Sequence, residues 1–112
     1  MSPQIETVTS SPGLTMAVTS PIVHLCPFKD EIDNGQITVT WQTLNGTIEL
    51  HSLRAYFDSF AASEISHESL TDTIRRELNR IPSIKALDVT TNWTTAGMEV
   101  ACSTSPTPAG RT

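Results

Sequence analysis

The sequence predicts one α+β domain, in which a four-stranded antiparallel sheet carries two helices on one face. Segments 37–42 and 87–102 alternate apolar and polar residues, which is typical of half-buried strands. Between them, segments 53–60 and 70–81 place apolar residues three and four positions apart, as amphipathic helices do. The predicted order is strand, strand, helix, helix, strand, strand. Packing both helices on the apolar sheet face buries every apolar stripe.

The length and composition restrict the ordered part to one modest domain. The chain has 112 residues, of which 38% are hydrophobic and 17% are charged. We expect residues 1–21, with one charged side chain and three prolines, to form a flexible arm. Residues 104–112 have a similar composition and are expected to form a flexible tail. A domain over 22–103 is so small that oligomerisation would be a common way to stabilise it.

Charge and cysteine content exclude several classes of protein. Seven basic and twelve acidic residues give a formal charge of -5, so no overall positive field attracts nucleic acid. Two cysteines are too few for a disulfide-rich secreted scaffold. The chain has neither an apolar run long enough for a membrane helix nor the pattern of a secretory signal. We therefore expect a cytoplasmic protein without a membrane partner.

The first two strands are predicted as a hairpin. Asn45-Gly46 has the residue types of a type I′ turn between a strand over 37–42 and a returning strand over 47–51. A two-residue turn fixes the register, so that Trp41 would face Leu50. The polar face of this hairpin would carry Thr40, Gln42, Glu49 and His51.

Two helices and a last pair of strands follow. Ser52 is the predicted N-cap of the first helix, and Ser66 is predicted to begin a second helix that Pro82 ends. The predicted inward residues are Leu53, Tyr56, Phe57 and Phe60 in the first helix and Leu70, Ile74, Leu78 and Ile81 in the second. A turn at 94–97 then joins the strands on either side.

Cys26 is the first candidate for chemistry. A lone cysteine is most often a buried and inert thiol. The alternative is a nucleophile, which needs a base within hydrogen-bond reach, and Asp33 or His24 is near enough in sequence to supply one.

His67, Glu68 and Glu49 also allow two interpretations. Glu68 either complements the dipole of the second helix or accepts hydrogen bonds from adjacent N–H donors, as on a guanine edge. His67 is either a surface residue or a group that moves a proton. Glu49 is either sheet surface or the lining of a site between subunits. The spacing of the cysteines and histidines matches no zinc motif, so no metal site is predicted.

Taken together, these residues resemble the QueF nitrile reductases and the QueF-like amidinotransferases of the tunnelling-fold (T-fold) superfamily, which act on 7-cyano-7-deazaguanine. The resemblance covers residues 22–103. It rests on Cys26-Pro27, on Asp33, on the run from Glu49 to Tyr56, on Ser59-Phe60 and on His67-Glu68.

The resemblance implies a role for each matching residue. Cys26 is implied to be the nucleophile that forms a thioimide with the nitrile carbon. Asp33 is implied to be the acid/base group, and His67 to assist proton transfer. The resemblance also implies substrate-binding residues, which are Glu68, Glu49 and Ser59.

The preferred product is an amidine, and this route needs no cofactor. His51 and Arg54 stand where the reductases have lysines that serve NADPH, and 94–98 lacks the Thr-Pro-Arg-Gly-Gly turn of those enzymes. The amidinotransferases do not use NADPH, and ammonia or an amino donor resolves their thioimide. The alternative is NADPH-dependent reduction to the aminomethyl product, with His51 and Arg54 as weak cofactor contacts.

The resemblance also implies partners. The substrate is expected to be the cyano base, either free or within tRNA or DNA, and the assembly to be a decamer of two stacked pentamers with sites between subunits. A third hypothesis, from another class, is a non-catalytic purine-binding assembly module.

Overall fold

The structure is a computed structural model that describes residues 3–104. Its elements in chain order are β1 (Thr7–Thr9), β2 (Thr15–Leu25), β3 (Ile32–Thr43), β4 (Gly46–Ile48), α1 (Leu50–Asp58), α2 (His67–Leu78), β5 (Ile84–Thr95) and β6 (Met98–Ser103). Strands β2, β3, β5 and β6 form an antiparallel four-stranded sheet in that order, and β1 pairs with β4. The predicted α+β order is confirmed, with β1 and β4 as additions.

The core lies between the four-stranded sheet and the two helices. In β3 every second residue from Ile37 to Thr43 is buried, while the residues between them are half-buried. Full burial of an aliphatic or aromatic side chain contributes about 1.5–3 kcal/mol, so burial on this face stabilises the fold. The apolar core residues are Ile22, Ile37, Val39, Trp41, Ile48, Leu53, Tyr56, Phe57, Phe60, Leu70, Ile74, Leu78, Ile84, Val89 and Trp93.

A partly buried polar contact joins the two helices. The Tyr56 hydroxyl on α1 donates to the Glu77 carboxylate on α2. Burial and the neighbouring negative charge raise the pKa of Tyr56 well above its ordinary value. The hydroxyl therefore keeps its proton and its role as donor.

The prediction of a flexible arm over 1–21 is wrong for about half of these residues. Residues 7–9 form β1, and residues 15–21 belong to β2, an edge strand of the main sheet; residues 1 and 2 lie outside the described part. The alternation of β2 is hard to recognise because Ser20 and His24 occupy buried positions alongside Ile22. Pro21 lies on the exposed side of this strand, and an edge strand tolerates the missing N–H of proline.

The hairpin predicted at Asn45-Gly46 does not form. β3 pairs with β2 on one side and β5 on the other, so both of its edges are occupied. The returning segment instead forms the short β4, which pairs with β1. Residues 50 and 51 belong to α1 and not to a strand.

The helices match their predicted faces but not all of their predicted ends. Glu49, and not Ser52, is the N-cap of α1, because its carboxylate accepts from the His51 and Ser52 amides at 2.8 and 2.7 Å. Ser66 caps α2 as predicted. That helix ends at Leu78, several residues before Pro82, and leaves Ile81 half-buried.

The last hairpin agrees with the prediction, and its ladder extends slightly further. Ala96 and Gly97 both have positive φ, at 55° and 75°, in the turn between β5 and β6. Thr104, assigned to the predicted tail, donates its amide to the Val89 carbonyl and accepts the Val89 amide at its hydroxyl. Residues 105–112 of that tail lie outside the described part.

The outer strands of the main sheet, within residues 3–104, are β2 and β6. Assembly of several copies through such edges, as the resemblance implies, stays a prediction. In this same stretch of chain no helix has the length and apolar character needed to cross a membrane.

Gly35 permits a close approach between β3 and β5. A Cβ at this position would lie 2.4 Å from both the Asn92 carbonyl oxygen and Cε3 of Trp93. The Trp93 indole therefore occupies the space that any other side chain at position 35 would need.

We predict that Gly35→Ala destabilises the protein by about 1–3 kcal/mol, because the added methyl must displace Trp93 or the strand backbone. Chemical denaturation gives the free energy of unfolding. Ala101→Ser, which also adds one heavy atom but at an exposed strand position, should change that free energy by less than about 0.5 kcal/mol. Equal effects of the two substitutions would contradict the assigned packing.

Candidate functional site

The candidate site lies at one end of the main sheet, on the side that faces the helices. The β2–β3 register sets His24 opposite Asp33, and the β3–β5 register sets Gly35 opposite Trp93. The first residue of α2, His67, packs against this end of the sheet. Strand register and a helix start thus bring together residues that are far apart in the chain.

Two histidines form the centre of the site. His24 is fully buried, and its Nε2 lies 2.9 Å from Nδ1 of His67. Asp33 Oδ2 lies 3.6 Å from Nε2 of His24 and 3.9 Å from Nε2 of His67. The structure therefore brings the predicted site residues Asp33 and His67 together. His24, on β2, lies next to both of them.

The ring of His67 is held on three sides. It stacks on the Trp93 indole, with ring centroids 4.4 Å apart and an interplanar angle of 12°. Its Nδ1 contacts His24, and its Nε2 lies 2.9 Å from the Thr95 hydroxyl. The imidazole has little freedom to rotate.

A buried polar chain connects Trp93 to the backbone of the same histidine. The Trp93 indole N–H donates to the Thr91 hydroxyl at 2.9 Å. The hydroxyls of Thr91 and Thr71 are 2.7 Å apart, and that of Thr71 donates to the His67 carbonyl at 2.8 Å. Since the Thr71 proton is used there, Thr91 donates to Thr71, and every member of the chain is satisfied.

The environment of His67 favours its neutral form. Burial lowers the pKa of His67 below its ordinary value, and the nearby His24 lowers it further. Asp33 and Glu68 oppose this shift but do not cancel it. A neutral imidazole at pH 7 is able to accept a proton.

Cys26 directly follows β2 and has a half-buried free thiol. Its amide donates to the Glu31 carbonyl at 2.9 Å, which closes the turn between β2 and β3. The preceding residue, Leu25, is bonded through its amide and carbonyl to Ser63 and Ile65. The end of β2, the cysteine turn and the loop before α2 are therefore joined by backbone hydrogen bonds.

Glu68 is exposed in the first turn of α2. It lines an open cleft of about 610 Å³ between α2 and the edge strand β6. Other residues that line this cleft are Thr71, Asp72, Arg75, Val100, Cys102 and Ser103. The carboxylate is accessible to a ligand.

The other predicted site residues have local partners on or beside α1. Glu49 caps that helix and also contacts the His51 ring at 2.8 Å, and these hydrogen bonds lower the pKa of Glu49 to about 2. Arg54 pairs with Asp58 at 3.0 Å. The Ser59 hydroxyl donates to the backbone carbonyl of Tyr56. The bonds of these side chains are thus separate from the Asp33 cluster.

His24, Asp33 and His67 are also residue types that bind metal ions, and their donor atoms lie within 4.8 Å of one another. The two imidazole nitrogens, however, hydrogen-bond directly to each other. A metal ion between them would have to break that bond. The geometry is that of a hydrogen-bonded relay.

The sequence did not identify the supporting residues of the site. The local sequence suggests His24 only as a base for Cys26, and Trp93 and Thr95 only as strand and turn residues. The available signal is the period of two in β2, which places His24 on the same face as Ile22. The contact with His67 spans 43 positions and leaves no local pattern.

Comparison with known proteins gives matches that agree with one another. The family model described as QueF-like protein matches residues 32–105. A protein of Chlorobaculum parvum named NADPH-dependent 7-cyano-7-deazaguanine reductase is 33% identical over 84 residues, which are 74% of this chain and 72% of that protein. A protein of the same name from Chlorobium luteolum is 32% identical over 84 residues, which are again 74% of this chain and 72% of that protein.

A solved structure shares the fold. The crystal structure of the archaeosine synthase QueF-Like in the apo form superposes with a TM-score of 0.78 at 19% identity, over 84% of this chain and 93% of that one. At this identity the likeness shows the fold, which is the predicted T-fold. Together with the family match, it leads to one conclusion: the chain belongs to the QueF-like protein family.

Proposed function

We propose that the chain forms a thioimide between Cys26 and the nitrile of 7-cyano-7-deazaguanine and converts this intermediate into an amidine. The observation that carries the proposal is the Asp33–His24–His67 cluster, which lies at the end of β2, directly before Cys26. The substrate is supported by the names of the relatives, which are reductases of that nitrile.

The first step requires no redox change. The Cys26 sulfur bonds to the nitrile carbon, and the thiol proton passes through Asp33 to the nitrile nitrogen, which gives a thioimide. His67, neutral at pH 7, accepts or returns a proton beside Asp33. Splitting one difficult addition into two covalent steps is the general advantage of a nucleophilic residue.

The second step is addition of ammonia or a primary amine to the thioimide carbon. The carbon–sulfur bond then breaks, the Cys26 thiol is restored, and an amidine leaves. Atoms and electrons balance without a reductant. This route is therefore compatible with a chain that has few groups for a phosphate-bearing cofactor.

The second candidate function is NADPH-dependent reduction of the same nitrile, which the names of the relatives favour. Of the two residues at the lysine positions, Arg54 has a permanent charge but is already paired with Asp58. His51 contacts Glu49. Each missing charge-assisted bond to a phosphate removes about 1.5–3 kcal/mol. These residues fit NADPH poorly, which is why we place the amidine first.

The free base is the favoured substrate form over tRNA or DNA. The basic residues on the outer face of α2, Arg75 and Arg76, both pair with Asp72, at 2.6 and 2.9 Å. The single negative charge of Asp72 thus balances one of these two positive charges. Phosphate backbones bind mainly through lysine and arginine charges, of which this face has few in excess.

We predict that intact-mass spectrometry after incubation with the cyano base shows one covalent adduct on the wild type and none on Cys26→Ala, because the sulfur at position 26 is the nucleophile. Cys102→Ala is the matched control and should retain the adduct, although Cys102 is also a half-buried free thiol. A wild type without adduct, or an adduct that survives Cys26→Ala, would contradict the proposed first step.

Supplying either NADPH or ammonia distinguishes the two reactions. We expect the amidine to appear with ammonia and NADPH absorbance to remain constant, as followed by mass spectrometry and by absorbance. Consumption of two NADPH per nitrile would refute the amidine route and establish the reductase.

We predict that Glu68→Gln weakens binding of the cyano base about 10- to 100-fold, because a charged acceptor for the purine N–H groups is lost. The thermal shift of the protein with the free base measures this binding. Glu99→Gln, on β6 and also exposed, should leave the affinity unchanged. If the ligand binds but neither product forms under any condition, the non-catalytic binding module becomes the better description.

A further inference from the structure

His24 has no role in the chemistry proposed above, although it is the most deeply buried titratable group in that cluster. It lies on β2 with no exposed surface, and its ring meets both His67 and Trp93 edge-on, at centroid distances of 4.9 and 4.7 Å. A buried polar side chain needs partners for both ring nitrogens. Those partners determine which ring nitrogens of the two histidines carry a proton.

The hydrogen bonds of His24 have only one consistent direction in the neutral state. Its Nδ1 lies 3.1 Å from the Leu25 carbonyl, which accepts and cannot donate, so Nδ1 carries the proton. In neutral imidazole the other nitrogen, Nε2, must then be the acceptor. The proton between the two histidines therefore belongs to Nδ1 of His67.

The remaining nitrogen of His67 follows from this assignment. With Nδ1 protonated, Nε2 carries the lone pair and accepts from the Thr95 hydroxyl, which is 2.9 Å away. The same nitrogen is the one that lies 3.9 Å from the Asp33 carboxylate. The basic atom of His67 is thereby directed at the acid/base residue.

A charged His24 would reverse the two hydrogen bonds of the His67 ring, while its own Nδ1 would still donate to the Leu25 carbonyl. It would donate from Nε2 to His67, which would then carry its own proton on Nε2. A fully buried imidazolium needs a carboxylate in hydrogen-bond contact, whereas Asp33 Oδ2 is 3.6 Å from Nε2 of His24. The distances match the neutral arrangement.

We infer that His24 is a positioning residue that holds His67 in the tautomer with the proton on Nδ1 and the lone pair on Nε2, next to Asp33. The inference rests on the proposed function for its catalytic meaning. When His67 takes a proton at Nε2, the imidazolium still donates from Nδ1 to His24, so this hydrogen bond keeps its direction during the transfer. The titratable groups that surround His67 are His24 on β2, Asp33 on β3 and Glu68 on its own helix.

Nitrogen-15 NMR of the histidine rings tests the tautomer without any substrate. In the wild type we expect the His67 signals of a protonated Nδ1 and a bare Nε2, although free imidazole side chains in water favour the opposite tautomer. His24→Leu removes the acceptor, so the Nε2–H tautomer should become populated. His24→Gln offers a carbonyl oxygen as acceptor and should restore the wild-type pattern.

An Nε2–H tautomer of His67 in the wild type would overturn the inference, as would an unchanged tautomer in a folded His24→Leu variant. The wild-type spectrum decides the tautomer even if the leucine variant is unstable, because it requires no substitution.

The rate of adduct formation tests the catalytic meaning. We expect His24→Leu to slow the adduct about 10- to 100-fold and to change its pH profile, and His24→Gln to stay near the wild type. A folded His24→Leu variant with wild-type rate and pH profile would overturn the positioning role. If the wild type forms no adduct, the proposed function is refuted. The tautomer measured by NMR does not depend on that outcome.

Discussion

The packing of Trp93 is the constraint on which the site depends. Its indole fills the space above Gly35, supports the face of His67 and donates into the buried hydroxyls that end on the His67 carbonyl. One side chain thus fixes both the ring and the backbone of the residue that begins α2. Aromatic stacking and a fully satisfied polar chain together make this position rigid, because a change in any member leaves another buried group without a partner.

The apolar periodicities predicted much of the fold. The spacing correctly identifies the buried residues of the helices, which include Leu53, Tyr56 and Phe57 on α1 and Leu70 and Ile74 on α2. The alternation of apolar residues in β5 likewise matches its burial pattern. The N-terminal strand was missed for a physical reason. Two of the three buried positions of this strand, Ser20 and His24, are polar. The distant partners of His24 lie in β3, β5 and α2, and no local pattern contains them.

The site shows the same division between local and distant causes. Asp33 and His67 were identified through the resemblance, and the structure does bring them together. Glu49 was expected on a sheet face but caps α1, because two amides at a helix start compete successfully for a carboxylate. The contacts of His67 with His24, Trp93 and Thr95 depend on how β2 and β5 pair with β3. The predicted hairpin pairs β3 with the segment after Asn45-Gly46 instead, so it does not reveal these contacts.

The two hydrogen bonds between Leu25 and the loop before α2 have a consequence for how a ligand reaches the site. They join the end of β2 to the start of the helix, so the cysteine turn and His67 belong to one rigid unit rather than to two parts that close on each other. A ligand that contacted both would therefore meet them at a spacing that backbone hydrogen bonds already set, and binding would spend little free energy on ordering them.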